Sequence, residues 1–212
     1  MGFGSKNQSA PLCIIIITNT QITMTIHSNH KLLIIVDPQK DFINGTLAVN
    51  GAEDAMNNLS DYIANHHDRY RGIVLTADRH PSDHISFAEN HGDWPAHCVA
   101  DSDGADIWPP LITAIADAGT AHYIFYKGTE PDREEYSVFE NPKASDDITA
   151  LIRGNDIKSV DICGIAGDFC VLETLRDLRH LFPKMKIRVL DKFTASLDGG
   201  TKLNNEIKRL RL

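Results

Sequence analysis

The chain has 212 residues, 42% of them hydrophobic, and a formal net charge of -8 at pH 7. Its length and apolar content suit one domain with a full core, and the acidic balance argues against a nucleic-acid or anionic-membrane partner, either of which selects a basic face. The four cysteines, Cys13, Cys98, Cys163 and Cys170, are too few and too irregular for a disulfide framework, and no apolar run reaches membrane-span length, so the expected setting is the reducing cytoplasm.

Residues 1–30 open rich in Gly, Ser, Asn and Gln, pass through four consecutive isoleucines and turn polar again. They are read as an N-terminal arm, with Met24 as an alternative start, ahead of one domain over residues 31–212. Leu32 to Val36 is a continuous β-branched and leucine run that closes on Asp37-Pro38, as a strand buried on both faces does. A helix is expected from about Ala52 to His67, then a strand from Gly72 to Thr76 that delivers Asp78 and His80 just past its end. The long stretch from Pro81 to Trp108 carries His84, His91, Trp94 and His97, and loops of that length inside compact domains are usually functional. Leu111 to Ala118 reads as helix, Tyr123 to Tyr126 as a strand ending at Lys127, and Ala144 to Ile152 as helix. Val160 to Cys163 is a further apolar strand, broken by the small residues Gly164, Ala166 and Gly167. Asp168 can cap the helix that follows, in which Val171, Leu172, Leu175 and Leu178 recur at helical spacing. Ile187 to Leu190 makes a fifth strand, and the last residues are helical.

This alternation predicts an α/β fold: a mostly parallel sheet of five or six strands with helices on both faces, in a Rossmann-like three-layer arrangement. Ligands of such sheets bind outside the carboxyl ends of the strands. Asp37, the Asp78/His80 pair, Lys127 and the turn from Gly164 to Cys170 each follow directly on an expected strand. Cys170 falls in a first helical turn, where unpaired N–H groups favour the thiolate; it reads either as a nucleophile or as an inert buried thiol. With Asp37 as base and Lys127 as cation, it forms a workable acyl-transfer triad, and N–H groups of the Ala166 turn and of Cys170 can receive an oxyanion. A phosphate-cradling reading of the same turn fails, because GIAG has neither GxGxxG spacing nor a GK[ST] ending. Asp78 and His80, two apart in extended backbone, face the same way and can ligate one ion with His84 and His97 brought over by the loop. Mixed carboxylate and imidazole ligands suit zinc, manganese or ferrous iron; the alternative is a set of merely exposed loop histidines.

The segments VDPQKDFINGTLAV (Val36 to Val49), TADRHPSDHISF (Thr76 to Phe87), WPAHCV (Trp94 to Val99), YKG (Tyr126 to Gly128) and GIAGDFCV resemble the nicotinamidase branch of the isochorismatase-like cysteine hydrolases, over about Lys31 to Gly199. The resemblance implies that Asp37, Lys127 and Cys170 are the triad and that Asp78, His80, His84 and His97 surround one divalent metal, zinc first. It places the ring-binding aromatics at Phe42, Trp94 and Tyr136, and a non-proline cis peptide at Ile165-Ala166 ahead of the oxyanion hole. The implied reaction is hydrolysis of nicotinamide, a small-molecule substrate, to nicotinate and ammonia in pyridine-nucleotide salvage. Another small amide or carbamoyl substrate is the alternative. Vinyl-ether hydrolysis would need neither the thiol nor this ligand set, and a silent metal-binding scaffold would not keep both. Family members usually continue to a last strand beyond the final helix, so a sixth strand is in doubt here, and a homo-oligomer is left open.

Overall fold

The computed structural model describes residues 29–212, so the arm expected over 1–30 lies almost wholly outside the described residues. Five parallel strands form a single sheet in the order β3-β2-β1-β4-β5. In chain order they are β1 (Lys31–Val36), β2 (Gly72–Asp78), β3 (His122–Lys127), β4 (Ser159–Ile165) and β5 (Lys186–Ala195). The helices are α1 (Lys40–Ile43), α2 (Ala52–His66), α3 (Pro109–Ala118), α4 (Pro142–Gly154), α5 (Cys170–Leu181) and α6 (Thr201–Leu210).

Side chains alternate across a strand, and β1 uses both of its faces. Leu33 and Ile35 pack with Met56, Leu59 and Ile63 of α2 and Leu111 and Ile115 of α3. Leu32, Ile34 and Val36 point the other way, into a second core with Ile148 and Ile152 of α4, Val171, Leu175 and Leu178 of α5, and Leu203 of α6. A strand covered on both sides must be apolar throughout, which is why KLLIIV lacks the polar alternation of a half-exposed strand. The expected three-layer arrangement is therefore present, with five strands rather than six among the described residues.

The chain winds outward from β1 through β2 to β3, then returns to place β4 on the other side of β1, with Val36 in register with Gly164. The direction of winding reverses between β1 and β4, and it is there that a crevice opens at the carboxyl ends of the strands. Gly164 has φ +125, and a Cβ on it would lie 2.1 Å from the Val36 carbonyl oxygen. Only glycine lets the two strands approach this closely.

Three expectations are corrected in detail. The fifth strand runs from Lys186 to Ala195, beyond the apolar stretch ending at Leu190, because a register shift between Ile162 and Gly164 lets Thr194 and Ala195 resume pairing with β4. Helix α4 starts at Pro142, with the Asn141 side chain accepting from the Ala144 N–H at 3.1 Å. Asp168 does not cap α5: its carboxylate accepts the N–H groups of Leu197 (2.9 Å) and Asp198 (3.2 Å), tying the turn before α5 to the loop after β5.

At the opposite end of the sheet, Asp161 of β4 is buried and gathers the Tyr70 hydroxyl at 2.7 Å, Lys31 at 3.3 Å and the Arg188 Nε at 3.1 Å. Burial alone would raise its pKa; Arg188 and Tyr70 overcome that and hold it below the usual carboxylate value. A lowered folded value stabilises fully above the ordinary carboxylate range, and the contribution is lost as the pH falls through that lowered value. Asp161→Ala removes the acceptor that Tyr70 and Arg188 share and, because the Arg188 side chain is 55% exposed and can turn to water, is expected to cost about 1–2 kcal/mol by urea denaturation. In the wild type, acid titration of stability should show a component below pH 3.8 that the variant lacks.

Candidate active site

The crevice is built from strand ends. Asp37 follows β1 in the left-handed region (φ 46), and its N–H donates to the Thr76 carbonyl at 3.2 Å and to Thr76 Oγ1 at 3.1 Å. Gln39, buried and not singled out in the sequence, locks two loops together. Its Nε2 donates to the carbonyls of Asp78 (2.8 Å) and Ala105 (2.9 Å), and its Oε1 accepts the Asp78 N–H at 2.7 Å. Strands β2 and β3 deliver Asp78 and Lys127 in register, side by side.

Lys127 is 1% exposed and reaches every other member of the group. Its Nζ lies 3.0 Å from Asp37 Oδ2, 2.6 Å from Asp78 Oδ1, 3.1 Å from the Glu135 carbonyl and 3.6 Å from Cys170 Sγ. The structure thus brings Asp37, Lys127 and Cys170 together as expected. Burial alone would strip the proton from such a lysine; Asp37 and Asp78 reverse that and hold its pKa well above the ordinary value. Asp78 moves the opposite way: burial is outweighed by Lys127 and then His80, which keep it ionised.

The state of Cys170 departs from the expectation. Burial pushes its pKa well up, Asp37 and Asp78 add to that, and Lys127 opposes them without prevailing. The first-turn position was expected to favour the thiolate, but one ammonium already faces two carboxylates, and a thiolate would be a third buried anion. Asp37 is also raised, first by burial and then by Asp78. A thiol and a carboxylate of elevated basicity therefore face each other, the resting arrangement for proton transfer on demand.

At the start of α5, the N–H groups of Phe169 and Val171 both donate to the Ala166 carbonyl, at 3.1 and 3.0 Å. This coil leaves the Cys170 N–H in the first helical turn, without an intrahelical acceptor. The Ile165-Ala166 peptide is cis, as the resemblance implied.

Beside this group, one ligand atom each from Asp78, His80 and His97 lies within 4.8 Å of the others, and all three residues are buried. His80 Nδ1 is 2.8 Å from the Gly128 carbonyl, so Nδ1 carries a proton and Nε2 is the nitrogen on which the neutral ring offers its lone pair; burial lowers the pKa of the ring, but Asp78 more than reverses that. That Nε2 is buried, has no hydrogen-bond partner among the described residues and points toward Asp78 Oδ2 at 3.6 Å. His97 is oriented alike, with Nδ1 2.8 Å from the Pro95 carbonyl. A buried imidazole lone pair beside a carboxylate and a second imidazole fits a divalent cation. His84 stands apart from this set. Its ring lies 4.0 Å from that of His80, but its nitrogens are engaged with Ser86 Oγ (2.7 Å) and the Arg133 carbonyl (3.1 Å).

A cavity opens onto Cys170, Ala166, Asp78 and His97, walled by Phe42, Trp94, Tyr136 and Phe169 and closed by Leu47, Val49, Glu134 and Leu197. Trp94 Nε1 donates to the Tyr136 hydroxyl at 3.2 Å, and the Phe169 ring lies 5.2 Å from Trp94 and 5.6 Å from Tyr136. Phe42, Trp94 and Tyr136 line it as expected. Phe169 was missed, although its position immediately before the thiol was the available signal.

Residues 31–211 match the Isochorismatase domain model, and the chain belongs to that family. Within it, the chain is 37% identical to the nicotinamidase/pyrazinamidase of Mycobacterium tuberculosis over 177 residues, 81% of this chain and 89% of the relative. Among solved structures, the pyrazinamidase of Pyrococcus horikoshii in complex with zinc superposes with a TM-score of 0.70 at 32% identity, covering 85% of this chain and 96% of that one. PnC1 from L. infantum in complex with nicotinate superposes with a TM-score of 0.76 at 28% identity, covering 90% and 94%.

Cys170 faces the cavity at 7% exposure, whereas Cys98 and Cys163 are sealed at 0%. A small electrophilic amide or iodoacetamide is therefore expected to label Cys170 ahead of both, as peptide mapping would show. First modification at Cys98 or Cys163 would contradict the assignment of the reactive thiol.

Proposed function

We propose that the protein hydrolyses nicotinamide to nicotinate and ammonia, as a step of pyridine-nucleotide salvage, with residues 31–212 as its hydrolase domain. The observation that carries this reading is the contact of Lys127 with Asp37 and with Asp78 and Cys170, the last two lining an aromatic-walled cavity. The nicotinamidase relatives support the choice of substrate. The free thiols of Cys98, Cys163 and Cys170 suit the cytoplasm as its site of work.

In the proposed mechanism, Asp37 takes the Cys170 proton as sulfur adds to the amide carbon, so the transient anion forms only when a carbonyl is there to accept its electrons. The carbonyl oxygen becomes an oxyanion received by the N–H groups of Ala166 and Cys170. Asp37 returns the proton to the amide nitrogen, the C–N bond breaks, ammonia leaves and a thioester remains. A water molecule gives a proton to Asp37 and adds to the thioester. The C–S bond then breaks, that proton restores the thiol, and the acid formed departs as nicotinate on losing its own proton to solvent. Lys127 keeps Asp37 within reach and balances the charge on sulfur throughout.

Asp78, His80 and His97 would hold a divalent ion, zinc by preference with iron or manganese as alternatives, and His84 would join them on exchanging its Arg133 contact for the ion. When bound, such an ion supplies a Lewis-acidic site for the lone pair of a pyridine nitrogen. Phe42, Trp94 and Tyr136 would hold the flat ring with its amide toward sulfur, since reactivity falls steeply when the reacting atoms are misplaced.

Ammonia release from nicotinamide is the direct test, and its absence across a panel of small amides and carbamoyl compounds would refute the proposal. Cys170→Ala is expected to lower kcat by at least about 10³-fold with the fold retained, and Asp37→Asn to be nearly as damaging because an amide accepts no proton. Benzamide, which lacks the ring nitrogen, should be much the poorer substrate of the metal-loaded enzyme. Chelation or His80→Ala should weaken nicotinamide turnover and shrink that preference, whereas equal rates for both amides with and without metal would assign the ion a purely structural role.

A further inference from the structure

Glu135 takes no part in the reaction above, yet it is a carboxylate with a fully buried side chain a few ångströms behind the site. Its Oε2 accepts the Gly128 N–H at 2.7 Å and the Asn141 Nδ2 at 3.2 Å, and its Oε1 pairs with Arg133. Its main-chain carbonyl accepts from Lys127 Nζ at 3.1 Å. Gly128 in turn offers its own carbonyl to His80 Nδ1 at 2.8 Å. No other residue could serve at position 128: its φ is +61, and a Cβ would lie 2.3 Å from His80 Cε1.

We infer that Glu135 is a positioning residue, which fixes the Lys127-Gly128 turn so that the Gly128 carbonyl selects the His80 tautomer with Nε2 free to bind a metal. The inference rests on the metal-assisted reading given above. Gly128 joins the two contacts: its N–H, in the peptide shared with Lys127, is held by Glu135, and its carbonyl, in the following peptide, faces His80. With the carboxylate in place, the carbonyl is aimed at Nδ1 and the His80 lone pair falls on Nε2, beside Asp78. Without it, the glycine can rotate through conformations closed to other residues, and the imidazole can place its proton on either nitrogen. Groups that orient a metal-binding histidine through its distal nitrogen typically matter 10- to about 100-fold in metal affinity. Here the residue that offers the orienting carbonyl is itself held through its N–H by a carboxylate, and the carbonyl of that glutamate holds the site's lysine.

The experiment compares Glu135→Ala, Glu135→Asp and Glu135→Gln with the wild type in the full chain, using zinc alone as the probe. Zinc affinity is measured by competition with a chromophoric chelator, and the His80 tautomer is read in the metal-free proteins by long-range ¹H–¹⁵N NMR at a pH high enough for the ring beside Asp78 to be neutral. E135A, and E135D whose carboxylate falls a methylene short of Gly128, are expected to bind zinc about 10- to 100-fold more weakly and to show mixed His80 tautomers. E135Q still presents an oxygen to the Gly128 N–H and should stay close to the wild type in both. Wild-type zinc affinity together with an undisturbed Nδ1–H tautomer in folded E135A or E135D would overturn the inference. Neither readout involves nicotinamide, so a wild-type enzyme that binds zinc but releases no ammonia would refute the proposed reaction while leaving this test intact.

Discussion

Lys127 carries a full positive charge into a place closed to water, where an uncompensated ion costs several kcal/mol. The surrounding site consists largely of what that charge requires: two carboxylates on neighbouring strand ends, a main-chain carbonyl and a sulfur, all within 3.6 Å. Each carboxylate then serves a second purpose with its other oxygen. Asp37 receives Thr76 Oγ1 and stands beside the thiol, while Asp78 turns toward His80. The ammonium thus joins the proposed bond-breaking group to the proposed metal ligands, and neither could be buried so deeply without it.

Much of this was legible in the residue order. Strand ends are conspicuous in a doubly wound fold because apolar runs stop at them, so Asp37, Asp78 and Lys127 could be assigned to one rim without knowing how the strands pair. Cys170 could be placed at a helix start from the small residues before it. Side chains on the long loop were harder, since their placement depends on bonds between segments distant in sequence. His84 shows the limit: its spacing suggests the same role as His80 and His97, yet its ring nitrogens answer to Ser86 and Arg133.

The protonation of Cys170 was illegible for a different reason. A helix start favours a thiolate wherever the local dipole dominates, but the sequence does not say that two carboxylates will be buried within reach of the same sulfur. Gln39, Phe169 and Glu135 escaped notice similarly. A glutamine in a loop, a phenylalanine before a helix and one of two adjacent glutamates are ordinary by type, and they acquire a role only from the backbone groups and rings the fold sets against them. The extent of β5 depends likewise on a register shift that no local pattern announces.

The pairing of Val36 with Gly164 has a consequence for how the protein comes into being. The base follows β1 and the sulfur opens α5 just beyond β4, so most of the chain separates them, and the lysine arrives on a strand between them in sequence that lies two places from β1 in the sheet. Contacts this distant along the chain close late and slowly, after the entropy of the intervening loop has been overcome. As the ribosome releases the chain, β1 to β3 can assemble with Asp37, Asp78 and Lys127 already neighbours, but the partner of β1 on its other side has yet to be made. A chain ending before β4 carries Asp37, Asp78 and Lys127 but no Cys170, so the thiol can meet these partners only once β4 and the start of α5 are in place.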